Sequence, residues 1–443
     1  MFRFLHTADL HLDSALQGLA GLDTQGSGLG RTATRDALVA LVDLALAENV
    51  ALVVIAGDLY DGDWRDYHTG LFFVEQMGRL ADQGIPVVVA QGNHDAESRI
   101  TRSLILPPTV RVFGSRRPET FVLDLPGGDR VALHGQSYKE RAVTDNLALD
   151  YPAPVPGCFN MGVLHTGLGG LGGHANYAPC ALSDLLGRGY DYWALGHVHQ
   201  HTVVHRHPPV VFPGTPQGRH AREPGPKSVT LVEVDNGQVT ALETSAVDTV
   251  RWAVLDVTLA DCPTRSAVED RLAQVLADAV ATQGDGRLLA CRLILGGETP
   301  AHTALLAGQR DLEAQARAAA LGLGPGRAWV ESVRLETRPP TRPAPSRDSA
   351  PEAPGIREGL DALAGLDAFL DEAARDPDLV ERLRTDLDPL VRRLPAELAT
   401  VDPDDPGRLV DDPALVAALT GDAGALIAAV RPFLMARLDG GDA

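Results

Sequence analysis

Lysine is almost missing from this chain of 443 residues: it occurs only at 139 and 227, so arginine supplies nearly all of the positive charge. Acidic residues outnumber basic ones, 59 Asp and Glu against 39 Lys and Arg, for a formal charge of -20. That balance excludes a protein that coats nucleic acid through bulk electrostatics, because neutralising a phosphate backbone needs cations facing it. Any nucleic-acid contact must be local. Cysteine is scarce too. Cys158, Cys180, Cys262 and Cys291 lie far apart without a CxxC pair, which excludes a disulfide framework and a zinc knuckle and leaves reduced, mostly buried thiols. No apolar run reaches the ~18 residues that span a bilayer. The opening MFRFLHTADLHLD places His and Asp where a signal peptide would continue its apolar region. A cytoplasmic protein without a membrane partner is the expectation. A GxxxxGK[ST] phosphate loop is also missing, so any coupled ATP hydrolysis belongs to another chain.

What is present suits a folded chain. The hydrophobic fraction of 44% and charged fraction of 22% allow a sizeable core. In the first 250 residues, apolar runs of strand length at 2–6, 51–57 and 85–92 alternate with helical spacing over Arg31–Asn49 and Gly70–Gln83. This β-α-β-α-β order predicts parallel strands with crossover helices in a domain over 1–249. RVALHG, MGVLH and YDYWALG follow; TVVH, VVFPG and SVTLVEV then read as strands of a second, more antiparallel sheet. Residues 250–337 alternate strand and helix, with a helix around 305–321, and predict a small α+β capping domain. Residues 338–355 are rich in Pro, Ser and charge and read as an extended linker. Residues 356–443 carry helical stripes such as Leu360, Leu363, Leu366, Phe369 and Leu370, with 19 acidic against 9 basic side chains. This acidic helical tail is either a solvated bundle or a docking element for a partner protein.

The chemistry sits at strand ends. Asp9 and His11 follow the first strand at i and i+2, the spacing that projects both side chains the same way from an extended backbone. Asp58 follows the second strand, Asn93 and His94 the third, His165 a fourth, and His197 and His199 a fifth. In open α/β sheets, sites gather beyond the carboxyl ends of strands. Carboxylate, amide oxygen and imidazole without thiolate suit Mn²⁺, Fe²⁺ or Zn²⁺. Asp9, His11, Asp58, Asn93, His165, His197 and His199 are seven candidate ligands, more than one ion takes while leaving room for substrate, so two divalent ions sharing Asp58 resolve the count.

Asp9-x-His11, Gly57-Asp58-x-x-Asp61, Gly92-Asn93-His94-Asp95, His165 and Gly196-His197-x-His199, in this order, resemble the five-part signature of the calcineurin-like metallophosphoesterases. HTADLHLDS, AGDLYDGDWRDY, QGNHDAES and GYDYWALGHVH with FPGTPQGRHARE resemble the SbcD/YhaO-type DNA repair exonucleases within them. The resemblance implies a four-layer α/β/β/α sandwich. It implies that Asp9, His11, Asp58 and His199 hold one metal and Asp58, Asn93, His165 and His197 the other, with Mn²⁺ ahead of Fe²⁺, Zn²⁺ and Mg²⁺. His94 is then the candidate general acid and Asp61 its orienting partner. DNA, an SbcC-like coiled-coil ATPase and a second copy in a homodimer are the implied partners.

Other residues have blander readings beside functional ones. Arg99 and Arg102 could meet DNA phosphates but are equally at home in solvent. Trp64 and Tyr67 could stack a base or pack their loop. His134, His174 and His220 read as hydrogen-bonded structural histidines. Among rival functions, protein phosphatases of the group typically carry GDxVDRG and GNHE, whereas GDLYDGD and GNHD stand here. A small-molecule or cyclic-nucleotide phosphodiesterase shares GNHD, and a non-catalytic DNA-end-binding subunit would have lost a ligand.

Overall fold

The opening strand is apolar on both faces, and its two faces serve different layers. In β1 (Phe2–Thr7) the side chains of Phe2 and Phe4 enter one core and Leu5 another. β2 (Leu52–Ala56) repeats the division, with Leu52, Val54 and Ala56 on the inner side and Val53 and Ile55 on the outer. That is the period of two expected for strands buried on both sides. A computed structural model describes residues 1–19, 29–61, 67–97, 104–170, 176–340, 369–373, 375–391 and 413–439.

β1 and β2 continue in parallel through β3 (Val87–Ala90) and β4 (Val110–Val112). Helices Leu29–Ala47 and His68–Asp82 make the crossovers and pack Leu38, Leu41, Phe73 and Met77 on the outer face. The second sheet comprises β5 (Glu119–Asp124), β6 (Arg130–Gly135), β7 (Phe159–His165), β8 (Tyr192–Gly196), β9 (Thr202–Arg206) and β10 (Pro209–Phe212). Their order is β5-β6-β7-β8-β10-β9. Its middle, β6-β7-β8-β10, is parallel, and only the outermost pairs are antiparallel. β11 (Ser228–Asp235) and β12 (Gln238–Ala246) extend the first sheet beside β1, in the order β12-β11-β1-β2-β3-β4.

Three expectations are corrected here. The second sheet, expected to be more antiparallel, is parallel through its middle four strands. The strand SVTLVEV lies in the first sheet, antiparallel to β1, and not in the second. Val229 and Leu231 on one face and Val232 and Val234 on the other are all buried, so β11 suits the interior of a sheet covered on both sides. The helix expected around 305–321 is two pieces, His302–Ala307 and Gln309–Gly322. They break at Gly308, the C-cap of the first piece, whose backbone N donates to the Ala304 carbonyl at 3.1 Å.

Between the two sheets lies a core of Phe4, Val54, Val88, Leu133, Met161, Val163 and Val211. Behind the second sheet, Tyr151, Trp193 and Leu195 pack with the short helix Leu182–Leu186. The result is a four-layer α/β/β/α sandwich. β13 (Val250–Thr258), β14 (Leu288–Glu298) and β15 (Ala328–Arg338) form a third, separate sheet.

By its contacts the chain divides into two units. The first holds Met1–Val254, Asp278–Arg292 and Leu323–Glu331. Within it, Trp252, Ala290 and Trp329 bury against Leu16, Leu19 and Ala33. The second unit includes Leu255–Ala277, Leu293–Gly322 and the chain from Ser332. There, helix Ala423–Asp439 packs on Pro413–Thr420 and on His302–Ala307. Leu370 is buried, whereas Phe369 and Leu434 are exposed. The linker from 341 to 355 and Leu360, Leu363 and Leu366 lie outside the described residues. No helix among the described residues is long and apolar enough to cross a membrane.

One buried histidine ties the two sheets together. The Tyr192 hydroxyl donates to His6 Nδ1 at 3.0 Å, and His6 Nε2 donates to the Leu195 carbonyl at 3.2 Å. Burial, only partly opposed by that carbonyl, lowers the His6 pKa to about 3. Because the folded pKa lies below the unfolded one, this histidine contributes stability above pH 6.5 that is lost as pH falls toward 3. Urea unfolding of metal-free protein should therefore show the wild type losing about 2 kcal/mol more than His6→Gln between about pH 6.5 and about pH 5. Parallel pH dependences would mean that His6 is not held neutral.

Candidate metal centre

β1, β2 and β3 of one sheet and β7 and β8 of the other end at a common rim, and each ends on or is followed by a residue of the predicted cluster. The backbone turns sharply there. Asp9, His11, Asp58 and His197 all have positive φ, at 54°, 45°, 50° and 101°. Non-glycine residues rarely adopt such values, and they persist where surrounding bonds over-determine them. Asp9 N donates to Gly57 O at 2.9 Å, and His11 N to Asp58 O at 3.1 Å, so the first two strand ends are laced together. The glycines before the ligands allow close approach. A Cβ on Gly57 would meet the His165 ring, one on Gly92 the Asp58 carboxylate, and one on Gly196 the Ala56 carbonyl.

The side chains converge in two groups joined by Asp58. On one side, Asp9, His11 and His199 bring their ligand atoms within reach of one cation. His11 Nε2 faces His199 Nε2 at 3.3 Å, and Asp9 Oδ1 is 3.9 Å from the latter. On the other side stand Asp58, His165 and His197. His165 Nε2 is 2.9 Å from Asn93 Oδ1 and 3.4 Å from Asp58 Oδ2, and the same Asp58 oxygen is 4.0 Å from His11 Nε2. All seven predicted ligands thus meet in one buried cluster. His94 adjoins it: its backbone N donates to Asp58 Oδ1 at 3.0 Å, and its Nδ1 lies 3.1 Å from Asp61 Oδ1. With His11 and Asp58, His94 completes a third possible three-donor group.

The donor set fits cations and is poorly satisfied without them. His165 Nδ1 donates to the Ala56 carbonyl at 3.0 Å, so its Nε2 is a lone pair when the ring is neutral. That lone pair, Asn93 Oδ1 and Asp58 Oδ2 are three acceptors crowded on one point. His199 Nδ1 donates to Glu223 Oε1 at 2.6 Å, so the His199 Nε2 lone pair meets His11 Nε2 and Asp9 in the same way. His11 Nδ1 is buried without a hydrogen bond. Protonation responds to this crowding. Burial, reinforced by the Asp58 charge, raises the Asp9 carboxyl to about 7. Burial would depress the His165 imidazolium, but Asp58 and Asp9 outweigh it and raise it to about 9. For His94, Asp58 and Asp61 likewise overcome burial and raise it to about 9. Positive charge at the centre is what the geometry calls for.

Several supporting residues escaped the sequence reading. Asp95 of GNHD turns away from the cluster and accepts from the backbone N of Leu59, Tyr60 and Gly92 at 3.2, 3.0 and 2.9 Å, clamping two ligand loops together. Thr215 Oγ1 donates to Asp9 O, and Tyr138 OH to His165 O. The Asp9 carboxylate accepts from His197 N. Arg219 NH1 lies 3.7 Å from Asp61 Oδ1. Thr215, Arg219 and Glu223 all fall in FPGTPQGRHARE, a string whose wording carried a resemblance but whose roles no strand-end argument could assign.

Of the remaining residues singled out, His134 hydrogen-bonds Thr120 and Asn160 and stacks on Tyr190. His220 Nε2 lies 3.8 Å from Glu223. Tyr67 is exposed. Arg99, Arg102, Trp64 and His174 lie outside the described residues.

A doubly covered two-sheet sandwich with this Asp, Asn and His cluster on its shared rim defines a metal-dependent phosphoesterase. A profile of the calcineurin-like phosphoesterases matches residues 2–201, and one of the middle domain of the metallophosphoesterase YhaO matches 252–338. The chain belongs to the calcineurin-like metallophosphoesterase family, and with it come divalent metal ions and hydrolytic chemistry. It is 35% identical to the uncharacterized metallophosphoesterase YhaO of Bacillus subtilis over 302 residues, 67% of this chain and 72% of that protein. It is 26% identical to the DNA double-strand break repair protein Mre11 of Methanopyrus kandleri over 54% of this chain and 56% of that protein. It is 28% identical to the SbcD component of the nuclease SbcCD of Bacillus subtilis over 33% of this chain and 37% of that protein.

Asp95→Ala would leave three buried backbone donors without their acceptor, a loss of about 3 kcal/mol or more. Urea unfolding of the metal-free protein measures it. A loss below about 1 kcal/mol would show that the two loops hold without the clamp.

Proposed function

We propose that the chain is a two-metal DNA nuclease, an exonuclease by its resemblance, acting in repair or recombination beside an SbcC-like coiled-coil ATPase. The observation that carries the reading is the placement of Asp58 between two imidazole-lined groups, with His94 directly beside it. The names of two relatives, a double-strand break repair protein and a nuclease component, favour DNA over other phosphodiesters.

Asp9, His11, Asp58 and His199 hold one cation and Asp58, Asn93, His165 and His197 the other. The mixed oxygen and nitrogen donors favour Mn²⁺, with Fe²⁺, Zn²⁺ or Mg²⁺ as substitutes. When bound, the pair supplies Lewis-acid polarisation of the phosphodiester and an activated attacking water. The chain's own residues do the rest. Hydrogen bonds from His165 Nδ1 to the Ala56 carbonyl, from His199 Nδ1 to Glu223 and from backbone N to the Asp9 and Asp58 carboxylates hold those ligands before substrate arrives. His94, turned by Asp61 at 3.1 Å, offers a proton to the departing sugar oxygen. Asp61 in turn accepts from Ser14 Oγ at 2.9 Å, which limits its rotation.

Two substitutions separate these roles on end-labelled linear DNA and on bis-p-nitrophenyl phosphate, with Mn²⁺ and with EDTA. Asp58→Ala should lose both cations and all measurable turnover on either substrate. His94→Gln should keep Mn²⁺ and DNA binding and lose DNA cleavage by about 10²- to 10⁴-fold, the usual worth of a general acid. Reduced Mn²⁺ affinity in His94→Gln would make His94 a ligand instead. Wild-type protein that cleaves the small diester and leaves DNA intact, even with the ATPase added, would replace the nuclease by a small-molecule phosphodiesterase.

A further inference from the structure

Beyond the ligands themselves, the segment from Thr215 to Glu223 wraps the His199 side of the cluster, and Glu223 is its anchor. The carboxylate is 8% exposed on its side chain and divides its two oxygens. Oε1 accepts from His199 Nδ1 at 2.6 Å, and Oε2 accepts from the backbone N of Arg219 at 2.7 Å. The far end of the same segment is fixed as well, because Thr215 N donates to His199 O at 3.1 Å and Thr215 Oγ1 to Asp9 O at 2.8 Å. Between these anchors, Arg219 O accepts from Gln17 N at 2.8 Å, and the Arg219 guanidinium stands beside Asp61 and Ser14.

We propose that Glu223 is a positioning residue for the His199 side of the metal centre, selecting the His199 tautomer whose Nε2 faces the cation. The assignment rests on the two-cation reading given above. An imidazole free to rotate or to take the other tautomer would present Nε2–H to the cluster, where it cannot bind a cation. A carboxylate behind a ligating imidazole forbids that and raises the basicity of the ligating nitrogen. His165 is fixed differently, because its Nδ1 donates to the Ala56 carbonyl. The two sides of the centre are therefore braced by different groups, and Glu223 acts on one of them.

The test is a Mn²⁺ titration of the full-length, metal-stripped protein by calorimetry and electron paramagnetic resonance, without substrate. Wild type should bind two ions. Glu223→Gln should weaken one by about 10- to 100-fold, the usual worth of such an outer partner, and leave the other within about twofold. Glu223→Asp, which keeps the charge but shortens the reach, should fall in the same direction. Since the effect acts through His199, Glu223→Gln introduced into His199→Ala should lose no further Mn²⁺ affinity.

Unchanged affinities in Glu223→Gln with two ions still bound by the wild type would overturn the assignment and leave the two-cation reading intact. So would a further loss in the double variant, or an equal loss at both ions together with a melting temperature of the metal-free protein lowered in both Glu223 variants. The last two would mark Glu223 as holding the fold rather than the ligand. A wild type that binds fewer than two ions would instead sink the reading on which the assignment rests.

Discussion

The structure turns on the burial of two carboxylates, Asp9 and Asp58, at the meeting point of two sheets. Two negative groups taken out of water repel each other and lose hydration, a cost that backbone hydrogen bonds offset in part and positive charge in their midst offsets further. The chain places imidazoles around them but aims the ring lone pairs inward. His165 and His199 each commit their other nitrogen to an oxygen behind them, the Ala56 carbonyl and the Glu223 carboxylate. The rim is thereby a cage of acceptors, and its architecture makes sense as a container for cations.

The rest of the sandwich can be read as support for that cage. Four of its members sit in left-handed backbone, an unfavourable conformation that the hydrogen bonds between strand ends and the Asp95 clamp stabilise locally. Glycines at 57, 92 and 196 let the loops of opposite sheets touch. His6 links β1 to β8 below the same rim, so the two layers that contribute ligands are tied where a shift would matter most.

Much of this was legible in the sequence because the information is local. An apolar run followed by Gly and then Asp, Asn or His states both a strand and a ligand at its end, and Asp58, Asn93 and His197 were readable on that rule alone. Gathering five such ends on one rim needed only the habit of parallel sheets. Illegible were contacts made by topology. Glu223 meets His199 from 24 positions away, and Tyr138 reaches the His165 carbonyl from 27. Sheet membership was similarly hidden: SVTLVEV announces a strand, but both sheets are covered on both faces, so its apolar pattern fits either. The break at Gly308 was hidden as well, because helical spacing runs on through it.

That strand assignment has a bearing on how the protein is made. β1 sits between β2 and β11, with Phe4 opposite Leu52 on one side and Val232 on the other. As the chain leaves the ribosome, β1 and β2 can pair early, yet the other edge of β1 has no partner until Asp235 has been synthesised. An apolar strand with one open edge is an invitation to pair with another chain. The whole second sheet is translated during that interval. The first sheet is therefore completed by a segment far along the chain, a long-range closure of the kind that slows folding.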